Sequence, residues 1–344
     1  MTRVAFLVLD GMPSRHVGPD LTPHLCALAA EAGGPPGTAT GVMPSATYPN
    51  HATFVTGAAP ADHGVVGNWF FVDGTPTPAE SVGPQGETLF DWCRAAGRSS
   101  AFVCGDQHLV GVMAGDRADT HWPAGGEVPD GARLDAKGYL DDRDTAPHVA
   151  EAFEAGHDLV VAHLNGPDTA GHVYGPDAPE ALDAYRDTDA HIPALRAALD
   201  ATWDDTVVIL ASDHTMEDIT HPEPIDVWHL AAEHGMRGLP EGGSALVEGD
   251  EEPTWLAEIP GCAGWEPVSP GRWTAWTHPG HWFAIEGLEN DYRGMHGNRN
   301  TLEQVALVSG GHPDAAALAD RARAGTMRAT DWAPTIRSLL GLTD

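Results

Sequence analysis

Apolar residues along this chain come in short unbroken runs more often than in strict alternation. Val4–Leu9 (VAFLVL), Ser99–Cys104 (SSAFVC), His157–His163 (HDLVVAH), Thr206–Ala211 (TVVILA) and Gln304–Ser309 (QVALVS) are the clearest. Runs of that length predict strands buried on both faces of a largely parallel sheet. Gly37–Met43, Ala245–Glu248 and Trp282–Ile285 are weaker strand candidates. Thr22 and Pro23 open a helix that closes near Gly33. Thr88–Ala96, Thr145–Ala155, Pro224–His234, Trp255–Glu258 and a segment from Asp331 read as further helices, and Ala178–Thr202 as a long amphipathic helix broken near Pro193. Strands alternating with helices predict an α/β fold, a doubly wound and mostly parallel central sheet with helices on both faces. Residues 105–142, rich in Gly, Asp and Pro, are expected to be irregular surface that can overhang the site. Without a repeat, a low-complexity tract or a linker, residues 1–344 read as one domain.

Composition narrows the functional classes. The 344 residues carry 50 acidic against 18 basic side chains, a formal charge of −32, and Lys137 is the only lysine. A surface this acidic repels nucleic-acid polymers and anionic membranes, so neither is expected as a partner. The acidity fits adaptation to high salt or a GC-rich genome. No apolar run is long enough to span a bilayer, and the first strand begins at Arg3, so a cytoplasmic location is expected. Four scattered cysteines without a CxxC pair read as buried thiols. Nineteen histidines, with so many aspartates, direct attention to a metal site.

The organising stretch is Met43-Pro44-Ser45-Ala46-Thr47-Tyr48-Pro49-Asn50-His51, continued by Thr56-Gly57 and Asp62-His63-Gly64-Val65-Val66-Gly67-Asn68. Pro49 suits a first helical turn, which places the Thr47 hydroxyl where unpaired backbone N–H groups and the positive helix end converge. A threonine hydroxyl is a weak nucleophile unless a base or a metal activates it. The strand ends supply metal ligands: Asp10 after the first strand, Asp168 and His172 spaced as D-x-x-x-H, Asp213-His214 after TVVILA, and His296 in a later loop.

These residues resemble the alkaline phosphatase superfamily, and within it most closely the nucleotide pyrophosphatase/phosphodiesterase family. The resemblance runs from Asp10 through Thr47-x-Pro49-Asn50-His51, His63-Gly64, Asn68, Pro167-Asp168-x-x-Gly171-His172-x-x-Gly175-Pro176, Ser212-Asp213-His214 and His296-Gly297 to Asp331-x-x-Pro334-Thr335. It implies an alkaline-phosphatase-like three-layer sandwich and a hydrolase of phosphodiester or pyrophosphate bonds in small, nucleotide-like molecules. It implies two zinc ions, with Mn²⁺ or Fe as alternatives: Asp168, His172 and His296 would hold one, and Asp10, Asp213, His214 and the Thr47 Oγ the other. Thr47 would form a phosphothreonine intermediate, with Asn68 donating to a phosphoryl oxygen.

The segment Pro44–Asn68 has no Arg or Lys, which favours a singly charged diester over a dianionic monoester. Trp69 and Phe70, with Phe71 beside them, are candidates for a wall against a nucleobase, with ordinary core packing as the competing assignment. Phosphonoacetate hydrolase is similar in the same segment, and that family holds a substrate carboxylate with lysines. The comparable stretch Val103–Val110 has none, so His108 or an arginine would have to substitute. A non-catalytic binding protein on the same fold would show gaps among the seven metal and nucleophile positions, and all seven are filled. Oligomeric state is not legible.

Overall fold

The structure is a computed structural model describing residues 1–284 and 291–342. Its centre is an eight-stranded sheet whose spatial order is Met327–Arg328, Gly37–Thr40, Glu303–Ser309, Thr206–Ala211, Arg3–Leu9, Leu159–Leu164, Ser100–Cys104 and Thr120–Trp122. Only Glu303–Ser309 runs against the others. Alternate side chains of the first strand feed two different cores, as a strand covered on both faces must. Val4, Phe6 and Val8 join Phe54, Phe90, Phe102 and Trp332 on one face. Ala5, Leu7 and Leu9 join Leu25, Phe153 and Tyr185 on the other. The helices Thr47–Thr56, Leu89–Ala95 and Trp332–Leu340 contribute to the first core, and Pro23–Glu31, Asp142–Glu154 and Pro179–Ala198 to the second.

The predicted strands and long helices are present, and the differences have local causes. Pro193 sits inside the continuous helix Pro179–Ala198 rather than ending it. Residues 105–142 are more ordered than expected, since Thr120–Trp122 pairs with Ser100–Cys104 as the sheet's last strand. Its three residues are too few to show a periodicity. A second, antiparallel sheet, in the order Arg237–Glu241, Ser244–Glu248, Arg272–Thr277, Cys262–Ser269, was visible in the sequence only at Ala245–Glu248. Cys262–Ser269 contains Gly264, Glu266 and Pro267 and is irregular at two points, so no apolar run marks it. The helix expected at Trp255–Glu258 is a 3-10 segment, Thr254–Glu258. Of the proposed strand Trp282–Ile285, Phe283 forms one isolated bridge with Ile225, and Ile285 lies outside the described residues. Among the described residues no helix is long and apolar enough to cross a membrane.

A candidate metal centre beside Thr47

Parallel register places the site. Val8 lies level with His163 on one side and Ala211 on the other, so the chain leaves all three central strands at one edge. Asp10 follows the first strand directly, and its N–H donates to the Leu164 carbonyl at 3.0 Å. Asp168 and His172 lie on the helix Gly166–Tyr174, whose i, i+4 spacing turns both to one side. Asp213 and His214 follow the strand Thr206–Ala211. His296 follows the short strand Gly294–Met295, and the next residue, Gly297, bridges to Ser45 in the nucleophile loop. Thr47 is the first residue of the helix Thr47–Thr56.

The seven side chains converge. Thr47 Oγ1 lies 3.3 Å from His214 Nε2. His214 Nε2 lies 3.1 Å from Asp213 Oδ2 and 3.6 Å from Asp10 Oδ1. Asp168 Oδ1 lies 3.3 Å from His172 Nε2 and 3.6 Å from His296 Nε2. Two groups of donor atoms, Asp10–Asp213–His214 and Asp168–His214–His296, each lie within 4.8 Å of one another. His214 therefore stands between the two sets that the sequence separates, its ring stacked on His296 at 3.6 Å.

The unpaired atoms show that these residues suit a cation. Asp10 Oδ1, Asp168 Oδ1 and Asp213 Oδ2 are buried and accept no hydrogen bond. Their sister oxygens are all held: Asp10 Oδ2 by His163 Nε2 at 2.8 Å, Asp168 Oδ2 by Lys137 Nζ at 3.1 Å, and Asp213 Oδ1 by the N–H groups of Gly11 and His214 at 3.0 Å. The three imidazoles are held the same way. Nδ1 of His172, His214 and His296 lies 2.9, 3.1 and 3.0 Å from the carbonyls of Gly294, Thr215 and Ser45. Each Nδ1 must therefore donate, which turns each Nε2 toward the carboxylates. Burial first, then neighbouring imidazole, drives His214 well down and His296 to about 3, so both rings are neutral at physiological pH. Buried unpaired carboxylate oxygens are costly unless a cation meets them, and a mixed N/O set of this kind suits zinc, manganese or iron.

A cleft of about 340 Å³ opens beside Thr47. Asn68 and Trp69 line it, and so does His108, whose Nδ1 lies 3.5 Å from Glu80. Asn68 Oδ1 accepts from the Tyr48 N–H at 3.2 Å, so its Nδ2 end is free to donate elsewhere. Phe70 is placed differently from the expectation. It is buried with Phe71 in the core and is absent from the cleft wall, where Trp69 stands. In the oxyanion role that the resemblance implies for it, Asn68→Ala should lower kcat about 10²–10³-fold, the scale for losing one such donor, with metal content unchanged; steady-state kinetics on a diester would show it.

The cleft also contains residues that sequence reasoning missed. Lys137 crosses from the segment read as overhang to pair with Asp168, between the rings of Tyr139 and Tyr292. Burial opposes its charge, but Asp168 holds its pKa above the ordinary lysine value. Its being the sole lysine was the one available signal. Glu241, at the end of a strand of the second sheet, accepts from the Trp69 N–H at 2.8 Å, and burial pushes its carboxyl up to about 8. A Cβ at position 67 would lie 2.5 Å from Glu241 Oε1, so this approach requires Gly67. Nothing in the sequence marked Glu241.

A hydroxyl at a helix start, facing carboxylates and imidazoles at the carboxyl edge of a doubly wound sheet, is a candidate metal site of the kind that the resemblance to the alkaline phosphatase superfamily implies. The sequence profile of the type I phosphodiesterase / nucleotide pyrophosphatase family matches residues 4–253, and the chain belongs to that family. An uncharacterized pyrophosphatase/phosphodiesterase of Schizosaccharomyces pombe is 27% identical over 78% of this chain and 59% of its own length. Ectonucleotide pyrophosphatase/phosphodiesterase family member 1 of Rattus norvegicus is 27% identical over 51% of this chain and 20% of its own. The chain thus spans less than two thirds of the length of either relative. Among solved structures, an inactive variant of murine ectonucleotide pyrophosphatase/phosphodiesterase 5 in complex with AMP superposes with a TM-score of 0.74 at 19% identity, covering 100% of this chain and 96% of that one. Phosphonoacetate hydrolase of Sinorhizobium meliloti in complex with phosphonoacetate superposes with a TM-score of 0.69 at 16% identity, covering 98% and 96%. Both share the alkaline-phosphatase-like fold.

Proposed function

We propose that this chain is a di-zinc phosphohydrolase that cleaves phosphodiester or pyrophosphate bonds in nucleotide-like molecules through a phosphothreonine on Thr47. The observation that carries the proposal is the convergence of three unpaired carboxylate oxygens and three imidazole Nε2 atoms beside the Thr47 hydroxyl. Asp168, His172 and His296 would hold one ion, and Asp10, Asp213 and His214 the other. When bound, two such ions supply Lewis-acid stabilisation of phosphoryl charge and lower the pKa of a hydroxyl nearby. Thr47 Oγ attacks phosphorus in line with the ester bond and the alcohol or phosphate leaves. Water then cleaves the phosphothreonine and restores the hydroxyl. Asn68 Nδ2 and the Thr47 N–H, unpaired at the helix start, donate to the non-bridging oxygens.

A singly charged phosphoryl group suits the cleft better than a dianion. Among the described residues Lys137 is the one lysine or arginine lining it, and its charge is already matched by Asp168, while Glu80 and Asp106 add negative charge. Trp69, half exposed at the mouth, offers a flat apolar face to a base such as that of the AMP held by the murine relative.

Lys137 also favours a second reading, a phosphonate hydrolase whose lysine holds the substrate's carboxylate. Comparing bis-p-nitrophenyl phosphate, p-nitrophenyl phosphate and phosphonoacetate separates them. The diester should be the preferred substrate of both the native chain and Lys137→Met. Preference for phosphonoacetate, with a KM for it that rises selectively in Lys137→Met, would replace the first reading by the second.

A further inference from the structure

Asp10 meets the metal cage through one free oxygen, and what holds the other is a histidine with no place in the chemistry above. We propose that His163 is a positioning residue that fixes the Asp10 carboxylate by donating from Nε2, and so sets the affinity of one metal position and not the other. The proposal rests on the metal reading of the cage.

His163 is 1% exposed, near the end of the strand Leu159–Leu164. Its Nδ1 faces two backbone donors, the N–H groups of Gly105 at 3.3 Å and Asp106 at 3.4 Å. A backbone N–H can only donate, so Nδ1 carries the lone pair. The neutral ring then carries its hydrogen on Nε2, which lies 2.8 Å from Asp10 Oδ2.

That tautomer decides between two uses of the same atoms. Donor atoms of Asp10, His51 and His163 all lie within 4.8 Å of one another and are buried, an arrangement that invites a third metal. His51 would qualify, since its Nδ1 lies 2.8 Å from the Thr47 carbonyl and its Nε2 is unpaired. His163 would not, because an Nε2 that bears hydrogen has no lone pair to coordinate. The contact is a hydrogen bond to a ligand, the arrangement that orients ligating carboxylates in metal proteins. The same ring ties Asp10 to the cleft wall, since Asp106, one of its two backbone donors, also accepts from the His108 N–H at 2.9 Å.

The test is a zinc titration of metal-stripped protein against a competing chelator, supported by Co²⁺ substitution and its visible spectrum. Native protein should show two binding events. His163→Leu should weaken one event about 10–100-fold, the usual effect of losing an outer partner, and leave the other unchanged. His163→Gln, whose amide can donate to Oδ2, should recover most of the loss; His163→Met replaces the leucine variant if that fails to fold. Unchanged affinities in His163→Leu, equal weakening of both events, or no recovery in His163→Gln would overturn the role of His163 alone. Native protein that binds no ion would overturn the metal reading and this inference with it.

Discussion

Thr47→Ala should lower kcat by more than about 10⁴-fold, the scale on which loss of a covalent nucleophile acts, while metal content stays at the native level. The hydroxyl is the one group at the helix start that reaches the cage, 3.3 Å from His214 Nε2. Alanine is a good helix former, and the six Asp and His ligands remain when the Thr47 Oγ is removed, so the fold and most of the metal binding should survive. A melting temperature and metal analysis beside the kinetics would separate loss of chemistry from loss of structure. Residual activity near the native level would remove Thr47 from the mechanism.

Stripping metal with a chelator should abolish turnover and also loosen the fold. Asp10 and Asp213 are pushed well above the ordinary carboxylate range, by burial first and then by neighbouring carboxylates, with Gly11 N–H partly offsetting the effect at Asp213. Burial also works to raise Asp168, but His172 and Lys137 hold it well below that range. An ion present at a hundredfold excess over its Kd stabilises the chain by about 2.7 kcal/mol, or roughly 5 °C in a domain of this size. Activity and melting temperature should return together on adding Zn²⁺. A chain indifferent to chelation in both would contradict the metal centre.

The legible parts of the site were those with local signals. Asp10 and Asp213-His214 directly follow apolar runs, and parallel strands of equal register bring such ends to one edge. The four-residue spacing of Asp168 and His172 places both on one turn of helix. His296 was accessible through the family resemblance, because the strand before it is two residues long. Lys137 and Glu241 were hidden for a different reason. Lys137 comes from a stretch without periodicity, and Glu241 from the edge of a sheet whose strands are interrupted by Gly and Pro, so tertiary packing alone determines where they point. His163 lay inside an apolar run and read as part of a strand, although its ring nitrogens define it. The aromatic triplet could be read as a cleft wall or as core, and the structure divides it: Trp69 lines the cleft, while Phe70 and Phe71 pack in the core.

A covalent phosphothreonine leaves its mark in the stereochemical course at phosphorus. A phosphodiester made chiral with sulfur and hydrolysed in ¹⁸O-water should give product with retained configuration, because two successive in-line displacements, by Thr47 and then by water, each invert. Net inversion would mean that water attacks the diester directly and that no phosphothreonine forms.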